Sequence, residues 1–340
     1  MCERSRLRWR VFVGLGLAQP RRALELGSRA LVADPVDEDL INGLESLGFS
    51  VTYSPNITRD ELLRAIEHYD LLIVRSRTKV DAEVLKRGAR LKVVARAGVG
   101  LDNVDVETAT RLGITVLCAP EAPAQSVAEL TIGLMIAAAR RLTEAIELAR
   151  SGSWKKVQGF ELQGKLVGII GFGRIGSKVA RILRAFEARV LVYDVADVSQ
   201  KALALGAEVA RSLHDLLRRS DIVSLHVPLT PETYHMIGPR EFELFKDGAI
   251  LVNTSRGAVI DTRALLDALN SGKIGAAALD VLENEPPREP HELELLRHPR
   301  VLVTPHIGSQ TVEAQKRIAA EILSRLRALM SEERRDGDAR

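Results

Sequence analysis

The sequence predicts an α/β protein made of two doubly wound parallel-sheet domains. From Ala30 onward, short runs of Val, Ile, Leu and Ala alternate with segments of helical period, as parallel strands with crossover helices require. The alternation breaks once, at a long apolar stretch after Ser126, and restarts at Leu166. A chain of 340 residues also exceeds what one hydrophobic core usually organises.

In the first series the runs place strands at Ala30–Ala33, Val51–Tyr53, Leu71–Val74, Val93–Ala95 and Thr115–Leu117, with helices between them. A long helix is expected from Ser126 to about Arg150, its start marked by Ser126 and Glu129 at capping-box spacing. The second series places strands at Leu166–Ile170, Val190–Tyr193, Ile222–His226, Ile250–Asn253, Ala276–Leu279 and Val301–Thr304. These six suit a complete doubly wound sheet of order 3-2-1-4-5-6. An amphipathic segment from Thr311 to about Met330 should pack back on the first series, leaving Ser331–Arg340 as a disordered, charged tail.

Composition excludes several classes. Hydrophobic residues make up 46% and charged residues 27%, as in globular proteins rather than disordered or membrane chains. A net charge of +3 with dispersed basic residues leaves no footprint for nucleic acid or an anionic membrane. Cys2 and Cys118 form no disulfide framework and no metal-ligand spacing, which points to the cytoplasm and to no metal site. The longest apolar stretch, Leu130–Ala139, is too short to span a bilayer. Residues 1–27 begin with Arg4, Arg6, Arg8 and Arg10 ahead of Val11–Ala18, the order of a secretory leader. No small-residue cleavage site follows, so the segment is read as an extension ahead of the folded part, or as a start codon placed too far upstream.

The strongest motif is Gly171-Phe172-Gly173-Arg174-Ile175-Gly176, which follows an apolar strand and opens a helix with Ile175, Val179, Ile182, Leu183 and Phe186 on one face. Its glycines allow a tight turn, approach of a pyrophosphate to the backbone and close helix–strand packing, with phosphate charge at the helix N-terminus. Asp194 ends the next strand, where a carboxylate accepts from ribose hydroxyls and repels a 2′-phosphate. The cofactor predicted is therefore NAD.

Ligands of open α/β sheets sit outside the carboxyl ends of the strands. In the second series those ends carry Gly171, Asp194, Val227-Pro228-Leu229-Thr230, Ser255-Arg256-Gly257, Asp280 and Pro305-His306-Ile307-Gly308. Glu285, in the loop after the fifth strand, is placed to meet His306. A carboxylate bonded to imidazole suits the ring to exchange a proton with substrate, and the planar Arg256 guanidinium can hold a carboxylate bidentately. The expected cofactor set is Gly171, Gly173, Arg174, Ile175, Gly176, Asp194, Val227, Pro228, Thr233, Thr254, Ser255, Arg256, Asp280, His306 and Gly308. In the first series, Gly98-Val99-Gly100 offers successive amides as an anion nest. Arg75 and Ser76 end another strand, and Arg75 is set either to hold an anionic group or to pair with Asp70 or Asp81.

At these residues the sequence resembles the D-isomer-specific 2-hydroxyacid dehydrogenases and, within them, the short-form D-3-phosphoglycerate dehydrogenases. The similarity runs from about Ala30 to Leu329 and rests on Val74-Arg75-Ser76 to Val80, Ala95 to Asp105, Gly171 to Gly176, Asn253 to Gly257, Leu279 to Pro287 and Thr304 to Gly308. The resemblance implies a Rossmann NAD-binding domain, residues 121–305, inserted into a flavodoxin-like substrate domain formed by residues 28–120 and 306–330, with catalysis in the cleft. It also implies His306 as acid/base with Glu285 as its partner, Arg256 on the substrate carboxylate and carbonyl, and Asn103 with Gly98, Val99 and Gly100 lining the substrate site. Arg75 would meet a phosphate, the substrate being a phosphorylated 2-hydroxy or 2-oxo acid. The helix after Ser126 would belong to a homodimer interface. The reaction implied is NAD-dependent oxidation of D-3-phosphoglycerate to 3-phosphohydroxypyruvate, in serine biosynthesis. The alternatives are a glyoxylate or hydroxypyruvate reductase and an NAD-responsive binding protein. Cys118 stands where relatives often have Asn, Pro123-Ala124-Gln125 departs from their small polar residues, and the chain stops short of the regulatory domain of long-form relatives.

Overall fold

The computed structural model describes residues 24–338. Of the expected N-terminal extension, residues 1–23 lie outside the described residues, as do 339–340 of the expected tail. The chain divides into two compact units, one formed by the residues up to Pro123 together with those from Thr311, the other by Ala124–Gln310.

The first unit holds β1 (Arg29–Val32), α1 (Glu38–Ser46), β2 (Ser50–Tyr53), α2 (Arg59–Ala65), β3 (Leu71–Val74), α3 (Ala82–Arg87), β4 (Val93–Arg96), α4 (Val106–Arg111) and β5 (Thr115–Cys118). Its strands are parallel in the order β2-β1-β3-β4-β5, a flavodoxin-like winding. The central β3 reads Leu-Leu-Ile-Val and is buried throughout, as a strand covered on both faces should be. Short polar caps start the helices: Thr58 and Glu61 form a capping box on α2, and Asp81 accepts from the Glu83 and Val84 amides at the start of α3.

The C-terminal helix, Val312–Asp338, lays Ile318, Ala319, Ile322, Leu326 and Met330 into the core shared by Leu40, Leu44, Leu71 and Ile73. Two expectations are corrected here. The tail is helical through Asp338, because Glu332, Glu333, Arg334 and Arg335 are good helix formers that prolong an anchored helix. The extension stops short of residue 27, because Leu24 is buried in the same core and Gly27 donates to the Gly48 carbonyl.

The second unit begins with α5 (Ala124–Ala139) and α6 (Leu142–Arg150), which replace the single helix expected. Arg141 takes a left-handed φ of 50° between them and ends the first. The predicted capping box is also absent. The helix starts at Ala124, and Ser126, already inside it and buried, donates to the Gly308 carbonyl at 2.8 Å.

There follow β6 (Leu166–Ile170), α7 (Arg174–Ala185), β7 (Arg189–Tyr193), α8 (Ser199–Ala204), β8 (Glu208–Val209), α9 (Leu213–Arg219), β9 (Ile222–Leu225), α10 (Pro239–Leu244), β10 (Ala249–Asn253), α11 (Thr262–Asn270), β11 (Ile274–Leu279), α12 (Pro290–Arg297) and β12 (Val301–Val303). The seven-stranded parallel sheet has the order β12-β11-β10-β9-β6-β7-β8. The six expected strands therefore run 2-1-3-4-5-6 rather than 3-2-1-4-5-6; the expected order appears only when the unpredicted, two-residue, exposed β8 is counted third, which makes Val301–Val303 the seventh strand. On α7 the buried stripe is Gly176, Val179, Ala180 and Leu183, while Phe186, expected on that face, is 40% exposed at the helix end. Among the described residues no helix is long and apolar enough to cross a membrane.

Candidate active site

Gly171 leaves β6 at φ 91° with its amide on the Tyr193 carbonyl, and a Cβ there would stand 2.5 Å from the His226 oxygen. A Cβ on Gly176 would overlap the Gly171 carbonyl, so the helix can start this close only without side chains. Gly173, by contrast, faces open space, and it caps the first turn of α7. The geometry fits a pyrophosphate lying against Gly173 at the helix N-terminus. Asp194 accepts from the Phe172 amide at 2.7 Å and from the Ala196 amide at 3.0 Å, which fixes its carboxylate at the rim of that turn.

Sequence reasoning missed Lys201. Its Nζ donates to the carbonyls of Phe172 at 2.7 Å and Gly173 at 2.9 Å, so it ties down the turn from the carbonyl side. Partial burial lowers its pKa, opposed by Asp194. No motif announces it, since a lysine in a short helix after Asp194 looks like an ordinary surface cation.

His226, directly after β9, is a second omission. Its Nε2 lies 2.9 Å from Ser224 Oγ, while Nδ1 has no hydrogen-bond partner among the described residues. Desolvation of the ring, whose Nδ1 is buried, pushes its pKa down to about 3, so the ring is neutral.

Several residues expected to face the cofactor also shape the loops. Thr233 Oγ1 donates to the Pro228 carbonyl at 2.6 Å and accepts from the Thr230 amide, closing the turn after β9. Val227 packs against the core beneath that turn. Thr254 pairs its hydroxyl with that of Thr131 on α5 at 2.8 Å. Ser255 donates through both amide and hydroxyl to Asn253 Oδ1, and Asn253 Nδ2 donates to the Arg256 carbonyl, so a buried asparagine sets the Arg256 backbone. The Arg256 Nη1 donates to the Ser255 carbonyl at 2.6 Å.

Asp280 is 1% exposed and serves the His306 turn. Its carboxylate accepts from Thr304 Oγ1 at 2.6 Å, the Ile307 amide at 2.8 Å and the Gly308 amide at 2.9 Å. That turn holds His306 at a left-handed φ of 54°. Glu285 Oε2 lies 2.7 Å from His306 Nδ1, and Glu285 Oε1 accepts from the Leu282 amide at 3.1 Å. With Nδ1 committed to the carboxylate, Nε2 is the ring nitrogen left to exchange a proton with a substrate.

The first unit places its candidates around one buried carboxylate that sequence reasoning did not single out. Asp34, fully buried at the end of β1, accepts from the amides of Arg75 at 2.6 Å and Thr78 at 3.2 Å, from Thr78 Oγ1 at 2.6 Å and from Arg77 Nε at 3.1 Å. Asn103 Nδ2 donates to the carbonyls of Arg75 and Thr78, both at 2.7 Å, so its amide group braces the loop. Ser76 is exposed on that loop. Arg75 Nη1 donates to the Pro35 carbonyl at 3.2 Å, and burial lowers the pKa of its guanidinium against the raising influence of Asp34. The alternative partners are taken by others: Asp70 by Arg90 and Lys92, Asp81 by Arg59. In the glycine turn the Gly98 amide already donates to the Arg96 carbonyl at 2.8 Å, so the expected nest is shorter by one donor.

The family model for the NAD-binding domain of D-isomer-specific 2-hydroxyacid dehydrogenases matches residues 132–308. The chain belongs to this family. The hydroxypyruvate reductase of Thermotoga maritima is 43% identical over 88% of this chain and 97% of its own length. The D-3-phosphoglycerate dehydrogenase of Methanocaldococcus jannaschii is 45% identical over 89% of this chain, which spans 57% of that relative's length. A solved D-lactate dehydrogenase from Aquifex aeolicus, complexed with NAD and lactic acid, aligns with a TM-score of 0.79 at 31% identity, covering 90% of this chain and 96% of that one. The family is one of NAD-dependent oxidoreductases, and NAD is the cofactor that the glycine turn and Asp194 fit.

Proposed function

We propose that the protein catalyses NAD-dependent oxidation of D-3-phosphoglycerate to 3-phosphohydroxypyruvate. The observation that carries the chemistry is the 2.7 Å contact between His306 Nδ1 and Glu285 Oε2 on a turn held by Asp280. His306 Nε2 takes the proton of the substrate C2 hydroxyl on oxidation and returns it on reduction, while Glu285 orients the ring and stabilises its charged form. Arg256 is the group suited to the substrate carboxylate, and in the other unit the Val99 and Gly100 amides are suited to an anionic group. Bound NAD supplies the hydride acceptor. Among the proposed cofactor contacts, Gly171, Gly173 and Gly176 allow close approach of the pyrophosphate, Arg174 and Ile175 begin the helix that receives it, and Asp194 takes the ribose hydroxyls.

The phosphate is the finer part of the reading. It is supported by Arg75, a half-buried guanidinium whose loop is held by Asp34 and Asn103. A second reading, reduction of hydroxypyruvate or glyoxylate, is supported by the near full-length match to a hydroxypyruvate reductase. Steady-state comparison of 3-phosphohydroxypyruvate, hydroxypyruvate and glyoxylate with NADH tests both. A kcat/KM highest for the phosphorylated acid supports the first, and a preference for either unphosphorylated acid replaces it with the second. We also propose a homodimer, supported by the exposed apolar side chains Leu142, Ile146 and Trp154 on and after α6.

A further inference from the structure

A second histidine–carboxylate pair stands in the same unit, outside the one proposed for proton transfer. His235 Nε2 lies 2.7 Å from Glu283 Oε1, and the other Glu283 oxygen accepts from Thr262 Oγ1 at 2.7 Å. Asp261 approaches the opposite ring nitrogen at 3.9 Å. His235 sits at a left-handed φ of 49° and stacks on Tyr234 with ring centroids 4.0 Å apart.

Three segments meet at this cluster, and two of them carry proposed reaction residues. The 234–238 segment is stitched to the 256–262 segment by backbone bonds from the His235 amide to the Ala258 carbonyl, from Ile237 to Val259 and from Asp261 to Ile237. The Leu282–Glu285 loop rests directly on Gly257, where any Cβ would overlap the Leu282 carbonyl and the Glu283 amide. Through its amide, Leu282 in turn donates to Glu285. Glu283 thus anchors, by its side chain, the loop whose backbone orients Glu285, and it does so from the segment that bears Arg256.

We propose that His235, Glu283 and Thr262 form a positioning clasp that keeps Glu285 within hydrogen-bond reach of His306. The proposal rests on the reading of Glu285 and His306 as the proton-transfer pair. A single partly exposed histidine–carboxylate contact adds little to overall stability, whereas a shift of about 1 Å in a reacting group costs turnover about a hundredfold. The clasp therefore acts on kcat.

The test is steady-state kinetics with NADH and whichever of 3-phosphohydroxypyruvate, hydroxypyruvate and glyoxylate turns over fastest. His235→Ala and Glu283→Ala should lower kcat by about tenfold to a hundredfold while KM for NADH stays within about twofold. Glu283→Gln, which still accepts from Thr262 and bonds His235, should recover most of the loss. In a Glu285→Gln background, adding Glu283→Ala should change kcat by less than about twofold, because the clasp works through Glu285. Wild-type kcat in the alanine variants, or an undiminished further loss in the Glu285→Gln background, overturns the clasp. If the alanine variants do not fold, Thr262→Val decides by the same kcat-against-KM criterion. His306→Ala is assayed in parallel: full activity there removes the proton-transfer reading itself, whereas an inactive His306→Ala beside an unaffected Glu283→Ala removes only the clasp.

Discussion

His306 and Glu285 meet at 2.7 Å although 21 residues separate them, and both depend on neighbours that never approach the ring nitrogen left for substrate. Asp280 shapes the turn of one, and the Leu282 amide orients the carboxylate of the other. His306→Gln should therefore lower kcat by on the order of a hundredfold or more while NADH still binds, read by turnover and by nucleotide fluorescence titration. Unchanged turnover would sink the proton-transfer role.

Arg75 separates the two substrate readings. In Arg75→Ala, kcat/KM for 3-phosphohydroxypyruvate should fall by about tenfold to a hundredfold, the worth of a charge-assisted contact, while the value for hydroxypyruvate hardly moves. Equal losses on both substrates would count against a phosphate contact.

The proposed role of Asp194 in nucleotide preference can be tested beside Lys201, whose ammonium feels the Asp194 charge. Removing the carboxylate in Asp194→Ala takes away the group that repels a 2′-phosphate and leaves the Lys201 cation near it. The ratio of kcat/KM for NADH over NADPH should drop by on the order of tenfold or more. A ratio that stays put would mean that Asp194 serves only the Phe172 and Ala196 amides.

His226 makes stability depend on pH. Its folded pKa is pushed to about 3 from the ordinary 6.5, so the unfolded chain binds the proton more readily and the stabilising difference, full above the unfolded value, is lost as pH falls through the interval between them. The advantage of wild type over His226→Gln in unfolding free energy should shrink by about 3 kcal/mol between pH 7 and pH 4. Urea titrations at the two pH values check it, and a constant difference would show that the ring is not held neutral.

Much of the fold could be read from the sequence because strands such as Leu71–Val74 are continuous apolar runs buried on both faces, and such runs have little else to become. The two-residue β8 could not be read, since Glu208 and Val209 are exposed and carry no period. Nor could the break between α5 and α6, where a single left-handed Arg141 interrupts an otherwise helical sequence. At the candidate site, glycines and the residues of strand ends announced themselves by type and place. Thr233, Thr254 and Asp280 belong to the expected cofactor set, and their side chains bond to Pro228, Thr131 and the His306 turn, because a strand end needs its loop built before it can present anything. Asp34 occupies the corresponding place after β1, where a lone aspartate following an apolar run carries no sign that two amides, a hydroxyl and a guanidinium converge on it.

The loop from Arg75 to Thr78 takes its shape from groups outside it, the Asp34 carboxylate on two of its amides and the Asn103 amide on two of its carbonyls. Its course is thus written in backbone bonds that do not depend on what the side chains at 75 and 76 are. If the proposed phosphate contact of Arg75 holds, such a loop could exchange its side chains at 75 and 76 while keeping its backbone course, and one scaffold could drift between phosphorylated and plain acids over evolutionary time.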